Sequence, residues 1–214
     1  MRVDIWSDVV CPWCYVGKTR FEKALDGFEH RDRVEVVYRA YELDPAPRPA
    51  GERLEVLEML SAKYGMSLAD ARQAEERVAG LARAEGLGYD SHRPVGNTFD
   101  LHRVLQLGKE KGAQHELLAA IYEAYFARGR EIFDASVITE VASGAGLDAD
   151  IVGNVLENSD LYTDAVKRDE QEARQLGITG VPFFVFDMAL GVSGAQATET
   201  FAHALTQAWE RAAA

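Results

Sequence analysis

Cysteine is the scarcest reactive residue in this sequence: the chain of 214 residues has only two, Cys11 and Cys14. A chain of this length buries enough apolar surface to fold without disulfide staples. A structural zinc site needs about four ligands, and the five histidines are scattered without a spacing typical of metal ligands. The composition therefore disfavours both a disulfide-stapled scaffold and a zinc domain.

Basic residues are also fewer than acidic residues. The chain has 23 Lys and Arg against 35 Asp and Glu, for a net charge of -12 at pH 7. This balance repels nucleic-acid phosphates and anionic membrane surfaces, so neither is an expected partner. No apolar run approaches the roughly 18 residues that predict a transmembrane helix.

The stretch before Cys11 lacks the features of a signal peptide. Its ten residues include Asp4, Trp6 and Asp8, which interrupt the apolar segment that such a signal needs. If Met1 is the true start, we expect a cytoplasmic protein. Because the cytosol keeps most thiols reduced, a redox-active cysteine pair is favoured over a structural disulfide.

The hydrophobic pattern near the start predicts two strands around a helix. Residues 3–8 alternate in the manner of a strand, a helix follows CPWC, and a second strand is predicted within residues 34–41. The next segment, DPAPRPAGE (44–52), has three prolines in five residues. It is predicted to be a rigid linker.

The pattern of the remaining residues predicts a series of helices, followed by two further strands and a last helix. Helical patterns occupy residues 52–176, strand patterns return in VPFFVFD (181–187) and LGVSG (190–194), and a final helix follows. The order β-α-β, helical insert, β-β-α predicts an α/β protein. We expect one discontinuous domain, 1–44 with 177–214, interrupted by an all-helical domain at 52–176.

Some polar side chains on the predicted helices are interpreted as having no part in the chemistry. The acidic pairs Glu75–Glu76 and Asp169–Glu170 are expected to be solvated. Lys18, on the helix that follows CPWC, is expected to be solvated as well.

The CPWC motif itself predicts a division of labour between the cysteines. Residues three apart on a helix are neighbours, so Cys11 and Cys14 lie within reach of each other. Cys11 lies at the helix N-terminus, where free N–H groups favour its thiolate, and Cys14 lies one turn deeper. Cys11 is therefore predicted to attack and Cys14 to resolve the mixed disulfide. Pro12 suits a first helical turn, and Trp13 is expected at the surface. Both Pro12 and Trp13 are expected to contact substrate, together with Val181 and Pro182.

Asp8 precedes Cys11 by three residues, and two roles are open for it. Its carboxylate would either cap the helix or accept a proton during exchange. The cap is the favoured interpretation, since a carboxylate beside Cys11 opposes the effect of the helix dipole.

Four motifs together resemble the FrnE-like branch of the DsbA family: SDVVCPWCYVGK, NTFDLHR, GVPFFVFD and GVSGAQ. The resemblance spans nearly the whole chain. It implies a thioredoxin-like fold with a large inserted all-helical domain, and a thiol-disulfide oxidoreductase or isomerase. It also implies thiol or disulfide substrates, in proteins or small molecules. No cofactor is expected beyond the cysteine pair, with glutathione as a candidate redox partner.

The resemblance also assigns roles to residues distant from CPWC. GVP stands where thioredoxin-like proteins carry a cis-proline, so the Val181–Pro182 bond is expected to be cis and to face CPWC. The Val181 backbone would then pair with an extended substrate segment. Asn97 and His102 match a helix that faces the active site in the family. The rim of the CPWC site is a candidate position for His102, Asn97 and Asp8. For His102, this position and that of an ordinary surface or interface histidine are weighted equally.

Two rival functions remain open at this point. The 2-hydroxychromene-2-carboxylate isomerases and kappa-class glutathione transferases resemble this architecture, but they typically have serine where this chain has Cys11. A partner-binding module with an inactive CPWC is the second rival. The motif leaves the direction of electron flow open, and the sequence does not fix the oligomeric state.

Overall fold

The structure is a computed structural model that describes residues 1–45 and 53–213. It divides into two compact units, one formed by Met1–Leu43 with Val166–Ala214 and the other by Asp44–Ala165. Most of the predicted linker lies outside the described residues.

The helices and strands alternate much as the hydrophobic pattern predicts. In chain order they are β1 (Arg2–Ser7), α1 (Pro12–Asp26), a 3-10 turn (Arg31–Arg33), β2 (Glu35–Ala40), β3 (Leu54–Glu55), α2 (Val56–Tyr64), α3 (Leu68–Ala84), β4 (Pro94–Val95), α4 (Phe99–Glu110), α5 (Gln114–Tyr122), a π-helical turn (Glu123–Ala127), α6 (Ala135–Gly144), α7 (Ala149–Glu157), α8 (Thr163–Gln175), β5 (Phe183–Phe186), β6 (Leu190–Ser193) and α9 (Thr198–Ala213).

The discontinuous unit is built on a sheet with the strand order β2-β1-β5-β6. Strand β1 runs parallel to β2 and antiparallel to β5, and β5 runs antiparallel to β6. Because β1 is a central strand with both faces covered, its last five residues are all buried. This strand leads directly into the CPWC segment.

One face of the sheet packs against α1 and α9 through aromatic rings. Val3 and Ile5 lie on this face, with Phe184 opposite Ile5 in the ladder. The ring of Phe21 on α1 is 5.4 Å from Phe184 and 5.8 Å from Phe201 of α9. Each such side chain stabilises the fold by about 1.5–3 kcal/mol when it is fully buried.

The opposite face carries Trp6, which packs with Ala173 of α8, Ile178 and Val185. The indole N–H of Trp6 donates to the backbone carbonyl of Asp169 at 2.8 Å. Helix α8 is therefore attached to this face of the sheet by apolar packing and by a hydrogen bond.

A buried ion cluster reinforces the attachment of α8. The Arg39 guanidinium lies 2.6 Å from Asp4 and 2.7 Å from Asp169. The second Asp169 oxygen accepts from the Ala40 N–H at 3.1 Å. The expectation of a solvated Asp169 is wrong, because this side chain is 3% exposed and paired with a cation from β2.

Because of these contacts, one domain boundary in the structure differs from the predicted boundary. The unit that contains the sheet resumes at Val166, whereas the sequence predicted that it resumes at residue 177. Val166, Asp169 and Ala173 are the buried residues of α8, and this buried stripe belongs with the sheet.

The second unit contains α2 to α7 and is helical except for a short antiparallel ladder between β3 and β4. Its interior holds Arg93, which lies 3.0 Å from Glu75 and donates to the Tyr89 hydroxyl at 2.8 Å. Glu75 is 4% exposed, so its predicted solvation is also wrong. None of the helices in the described ranges is long and apolar enough to span a membrane.

Candidate active site

Cys11 lies at the start of α1, as predicted. It occupies the N-cap position, and its carbonyl accepts from the N–H groups of Cys14 at 3.0 Å and Tyr15 at 3.2 Å. Pro12 follows in the first turn, where the missing N–H leaves no helical hydrogen bond unmade. Trp13 is 40% exposed, which confirms its predicted surface position.

Cys14 lies one turn into the helix and is sealed from solvent. Cys11 is 3% exposed and Cys14 is 1% exposed, and both are free thiols. Burial raises the pKa of the Cys14 thiol well above its ordinary value, and its hydrogen bond and charge interaction with Cys11 raise it further. The backbone of Asp8 acts in the opposite direction as a hydrogen-bond donor, while the Asp8 carboxylate adds to the rise. Cys14 is therefore a thiol of raised pKa, in the position one turn deeper that the sequence predicted.

The segment before β5 brings a carbonyl group to Cys11. The Cys11 thiol donates to the Val181 carbonyl oxygen at 3.6 Å, across 170 positions of sequence. The Val181–Pro182 bond is cis, which confirms the expectation drawn from GVP. The predicted proximity of this segment to CPWC is confirmed as well.

A glycine on α1 allows the close approach of this segment. A Cβ on Gly17 would lie 3.0 Å from the Pro182 ring and 3.4 Å from Ala195. The Gly194 N–H donates to the Pro182 carbonyl at 2.8 Å, which joins the segment after β6 to the segment before β5. Arg20 of α1 donates to the Ala195 carbonyl at 2.9 Å. Helix α1 therefore carries the cysteine pair at its start and also contacts the segments that contain Pro182 and Ala195.

Residues 2–206 match the family model of the DSBA-like thioredoxin domain. The chain belongs to this family. The match covers both units, and it confirms the predicted thioredoxin-like fold class with its helical insert. A DSBA-like domain with two cysteines at the start of its first helix is the framework of a redox protein.

Two solved structures and one protein sequence are similar to this chain. A probable DsbA oxidoreductase from Streptomyces coelicolor is 56% identical, with a TM-score of 0.94 over 98% of this chain and 90% of that chain. YwbO of Bacillus subtilis, described as uncharacterized, is 28% identical and matches 96% of each chain. A 2-hydroxychromene-2-carboxylate isomerase shares the fold at 17% identity, with a TM-score of 0.72 over 100% of this chain and 98% of that chain.

Asp8 is fully buried beside the DSBA-like cysteine pair. Its backbone carbonyl accepts from the Cys11 N–H at 3.2 Å, and its carboxylate accepts from the Leu43 N–H at 2.8 Å. The carboxylate thus holds the chain just after β2. Two roles of this carboxylate stay predictions: that it accepts a hydrogen bond from the N-terminus of α1 as a cap, and that it accepts a proton during exchange.

Asn97 and His102 belong to the helical unit. The Asn97 side chain accepts from the Phe99 N–H at 2.9 Å, at the point where α4 begins. His102 lies within α4 and is 2% exposed, so its interpretation as a surface histidine is wrong. The rim position of both residues stays a prediction.

The sequence missed two side chains near the site. Lys18 is buried although it was expected to be solvated, and it pairs with Glu22. Tyr38 of β2 is 3% exposed. Burial raises the pKa of its phenol well above the ordinary value, and the charges at Glu22 and Cys14 raise it further. The four-residue spacing of Cys14, Lys18 and Glu22 on α1 was the available signal.

Proposed function

We propose that this protein is a thiol-disulfide oxidoreductase that exchanges disulfides through Cys11 and Cys14. Its substrates are thiols or disulfides, in proteins or in small molecules such as glutathione. The cysteine pair is the only redox group that the proposal requires. The cytoplasmic location expected from the sequence stays a prediction.

The observation that carries the proposal is the contact between Cys11 and the Val181 carbonyl. It places the first cysteine of a dithiol beside a strip of backbone that precedes β5. A substrate segment that pairs with this backbone would bring its own sulfur to Cys11, as in strand addition. Cys14 lies one turn deeper in the helix, so it reacts with the Cys11 sulfur after Cys11 has formed a mixed disulfide.

The exchange proceeds in two displacements when the substrate is a disulfide. The Cys11 thiolate attacks one substrate sulfur, so a Cys11–substrate disulfide forms and the other substrate sulfur leaves as a thiolate. Cys14 then loses its proton and attacks the Cys11 sulfur. The Cys11–Cys14 bond forms, the second substrate thiolate leaves, and the two substrate sulfurs take up protons. The substrate is reduced and the cysteine pair is oxidised, and the reverse sequence oxidises a dithiol.

Mass spectrometry of covalent adducts tests these roles. After exposure to a disulfide substrate, Cys14→Ser should accumulate a mixed disulfide at Cys11, because no resolving thiol remains. Cys11→Ser should form no adduct, since its remaining thiol lies one turn deeper in the helix and has a raised pKa. Adducts on Cys11→Ser alone would contradict the assignment.

The same variants separate the rival functions. Glutathione-dependent isomerisation of an aromatic substrate that persists in Cys14→Ser would favour an isomerase or transferase, whose fold this chain shares. Binding of a protein partner that is unaffected by loss of both thiols, with no exchange in the wild type, would favour a binding module.

A further inference from the structure

A row of titratable side chains extends along α1 from the resolving cysteine. Cys14, Lys18 and Glu22 are four residues apart, so each lies one turn from the next on the same helix face. Exposure increases along the row: Cys14 is 1% exposed, and the side chains of Lys18 and Glu22 are 11% and 39% exposed. The row connects the buried sulfur with the protein surface.

The two charged members of this row form an ion pair. The Lys18 ammonium lies 2.6 Å from a Glu22 carboxylate oxygen. Lysine is almost never fully buried unless it is paired. Because the ammonium is mostly withdrawn from water, its field on neighbouring groups is weakly screened.

Tyr38 lies on the sheet face that α1 covers. It is opposite Ile5 in the β1–β2 ladder, and Ile5 belongs to the face that packs against Phe21. The charges at Glu22 and Cys14 both act on its phenol. The phenol is therefore within electrostatic reach of both ends of the row.

Among the other groups around Cys14, the backbone of Asp8 favours its ionisation and the side chains oppose it. The Asp8 carboxylate from the segment before α1 and the Cys11 sulfur both disfavour a negative charge on Cys14. Tyr38 from β2 is neutral and buried. Lys18 is the positive charge on the same helix face, one turn from the sulfur that has to become a thiolate.

We propose that the Lys18 ammonium stabilises the Cys14 thiolate in the resolving step, and that Glu22 holds this ammonium in place while opposing part of its field. The inference rests on the proposed dithiol exchange. In that step the Cys14 proton leaves to solvent, the Cys14–Cys11 bond forms, and the Cys11–substrate bond breaks. Lys18 is a positioning residue, since it acts on the reacting sulfur through its charge.

The two halves of this ion pair should affect the resolving step with opposite sign. Removal of the Lys18 charge withdraws stabilisation from the thiolate and slows its attack. Removal of the Glu22 charge leaves the Lys18 field less opposed, so resolution stays as fast or becomes faster. A merely structural ion pair would respond in the same direction to the loss of either partner.

Stopped-flow reaction with 5,5′-dithiobis(2-nitrobenzoate) separates the two displacements. The first release of the coloured thiolate reports the attack by Cys11, and the second reports resolution by Cys14. In Lys18→Met the second phase should be about tenfold slower at pH 7, and its pH profile should be displaced to higher pH. The first phase should change much less. Lys18→Arg should restore the second phase, and Glu22→Gln should not slow it.

Lys23→Met is the matched control, because Lys23 is exposed on the same helix. It should leave both phases and their pH profiles unchanged. A wild-type second phase in Lys18→Met, or equal slowing in Lys18→Met and Glu22→Gln, would overturn the proposal. Should Lys18→Met fail to fold, Glu22→Gln and Lys18→Arg still decide it, since tenfold slowing in either contradicts the opposite signs. Absence of both phases in the wild type would instead contradict the proposed function.

Discussion

Both units pair an arginine with buried acidic side chains, but they surround it differently. In the unit that contains the sheet, Arg39 lies 2.6 Å from Asp4, 2.7 Å from Asp169 and 3.7 Å from Glu172, and its guanidinium is 5.8 Å from the centre of one ring, that of Trp6. In the helical unit, Arg93 pairs with one carboxylate, Glu75, and its guanidinium lies 4.6–5.5 Å from the centres of three aromatic rings. The first cluster balances charge with charge, and the second relies equally on the faces of aromatic rings.

The difference follows from what each cluster connects. Asp4 is on β1, the strand that leads into CPWC, and Arg39 is on the neighbouring β2. Burial works against the charged form of Arg39, but the two carboxylates more than offset it, and its pKa is raised. The cluster fixes α8 to the sheet behind the active site. The Arg93 cluster lies wholly within the helical unit and ties α3 to the segment before β4.

The largest expected effect comes from removal of Arg39. Arg39→Met would leave Asp169 buried without its cation and Asp4 paired with Arg2 alone, and we expect it to lower the free energy of unfolding by about 3–5 kcal/mol. Arg93→Met should lose less, about 3 kcal/mol, because Glu75 keeps its hydrogen bond from Tyr89. Urea denaturation of the two variants measures both losses.

A charge-balancing replacement sharpens this comparison. Glu75→Gln combined with Arg93→Met should recover most of the lost stability, since no buried charge then remains unpaired. Asp169→Asn combined with Arg39→Met should recover only part, because the buried Asp4 would then be paired with Arg2 alone, whose side chain is 41% exposed. Full recovery of stability in both double variants would contradict the stated difference, which is that Arg39 neutralises more than one carboxylate and Arg93 only one.

A second pair of variants compares glycines on helices of the two units. Gly17→Ala places a methyl group against Pro182 and Ala195, and we expect a loss of about 1 kcal/mol after the gain in helix propensity is included. A Cβ on Gly80 of α3 would contact nothing within 4 Å, so Gly80→Ala should gain about 0.5–1 kcal/mol. Thermal unfolding measures both, and a gain of equal size in Gly17→Ala would show that the loop beside CPWC yields easily.

The sequence predicted the strands and the CPWC helix because these depend on local patterns. Alternating apolar residues and a proline in the first turn are visible within a few positions, as at Val3, Ile5 and Pro12. The cis bond at Pro182 followed from the family resemblance and not from local composition, since few X–Pro bonds are cis.

The buried acidic residues could not be predicted in this way, because their partners are distant in sequence. Asp169 pairs with Arg39 across 130 positions, and Glu75 pairs with Arg93 from a different element. A local signal did exist: Asp169 lies between Val166 and Ala173 on the buried stripe of α8. An acidic residue on an apolar helix face indicates a buried cation nearby.

The smallest expected effect concerns pH and distinguishes Cys14 from an exposed thiol. Because burial raises the pKa of Cys14 in the folded protein, the unfolded chain loses this proton first as the pH rises above 9.0. The stability of the reduced protein should therefore fall with increasing pH in this range, more steeply in the wild type than in Cys14→Ser. Urea midpoints of both proteins at several pH values, with reductant present, measure this. Identical slopes would mean that the Cys14 thiol ionises as readily in the folded protein as in the unfolded chain.

Equilibration with glutathione redox buffers tests the central claim, reversible exchange through one cysteine pair, most directly. Quenching with an alkylating agent followed by peptide mapping identifies the state of each sulfur. The account predicts one two-electron transition between two free thiols and a Cys11–Cys14 disulfide, with glutathione found on Cys11 only as a minor intermediate. Independent oxidation of the two cysteines, or stable glutathione adducts with no Cys11–Cys14 bond, would contradict it.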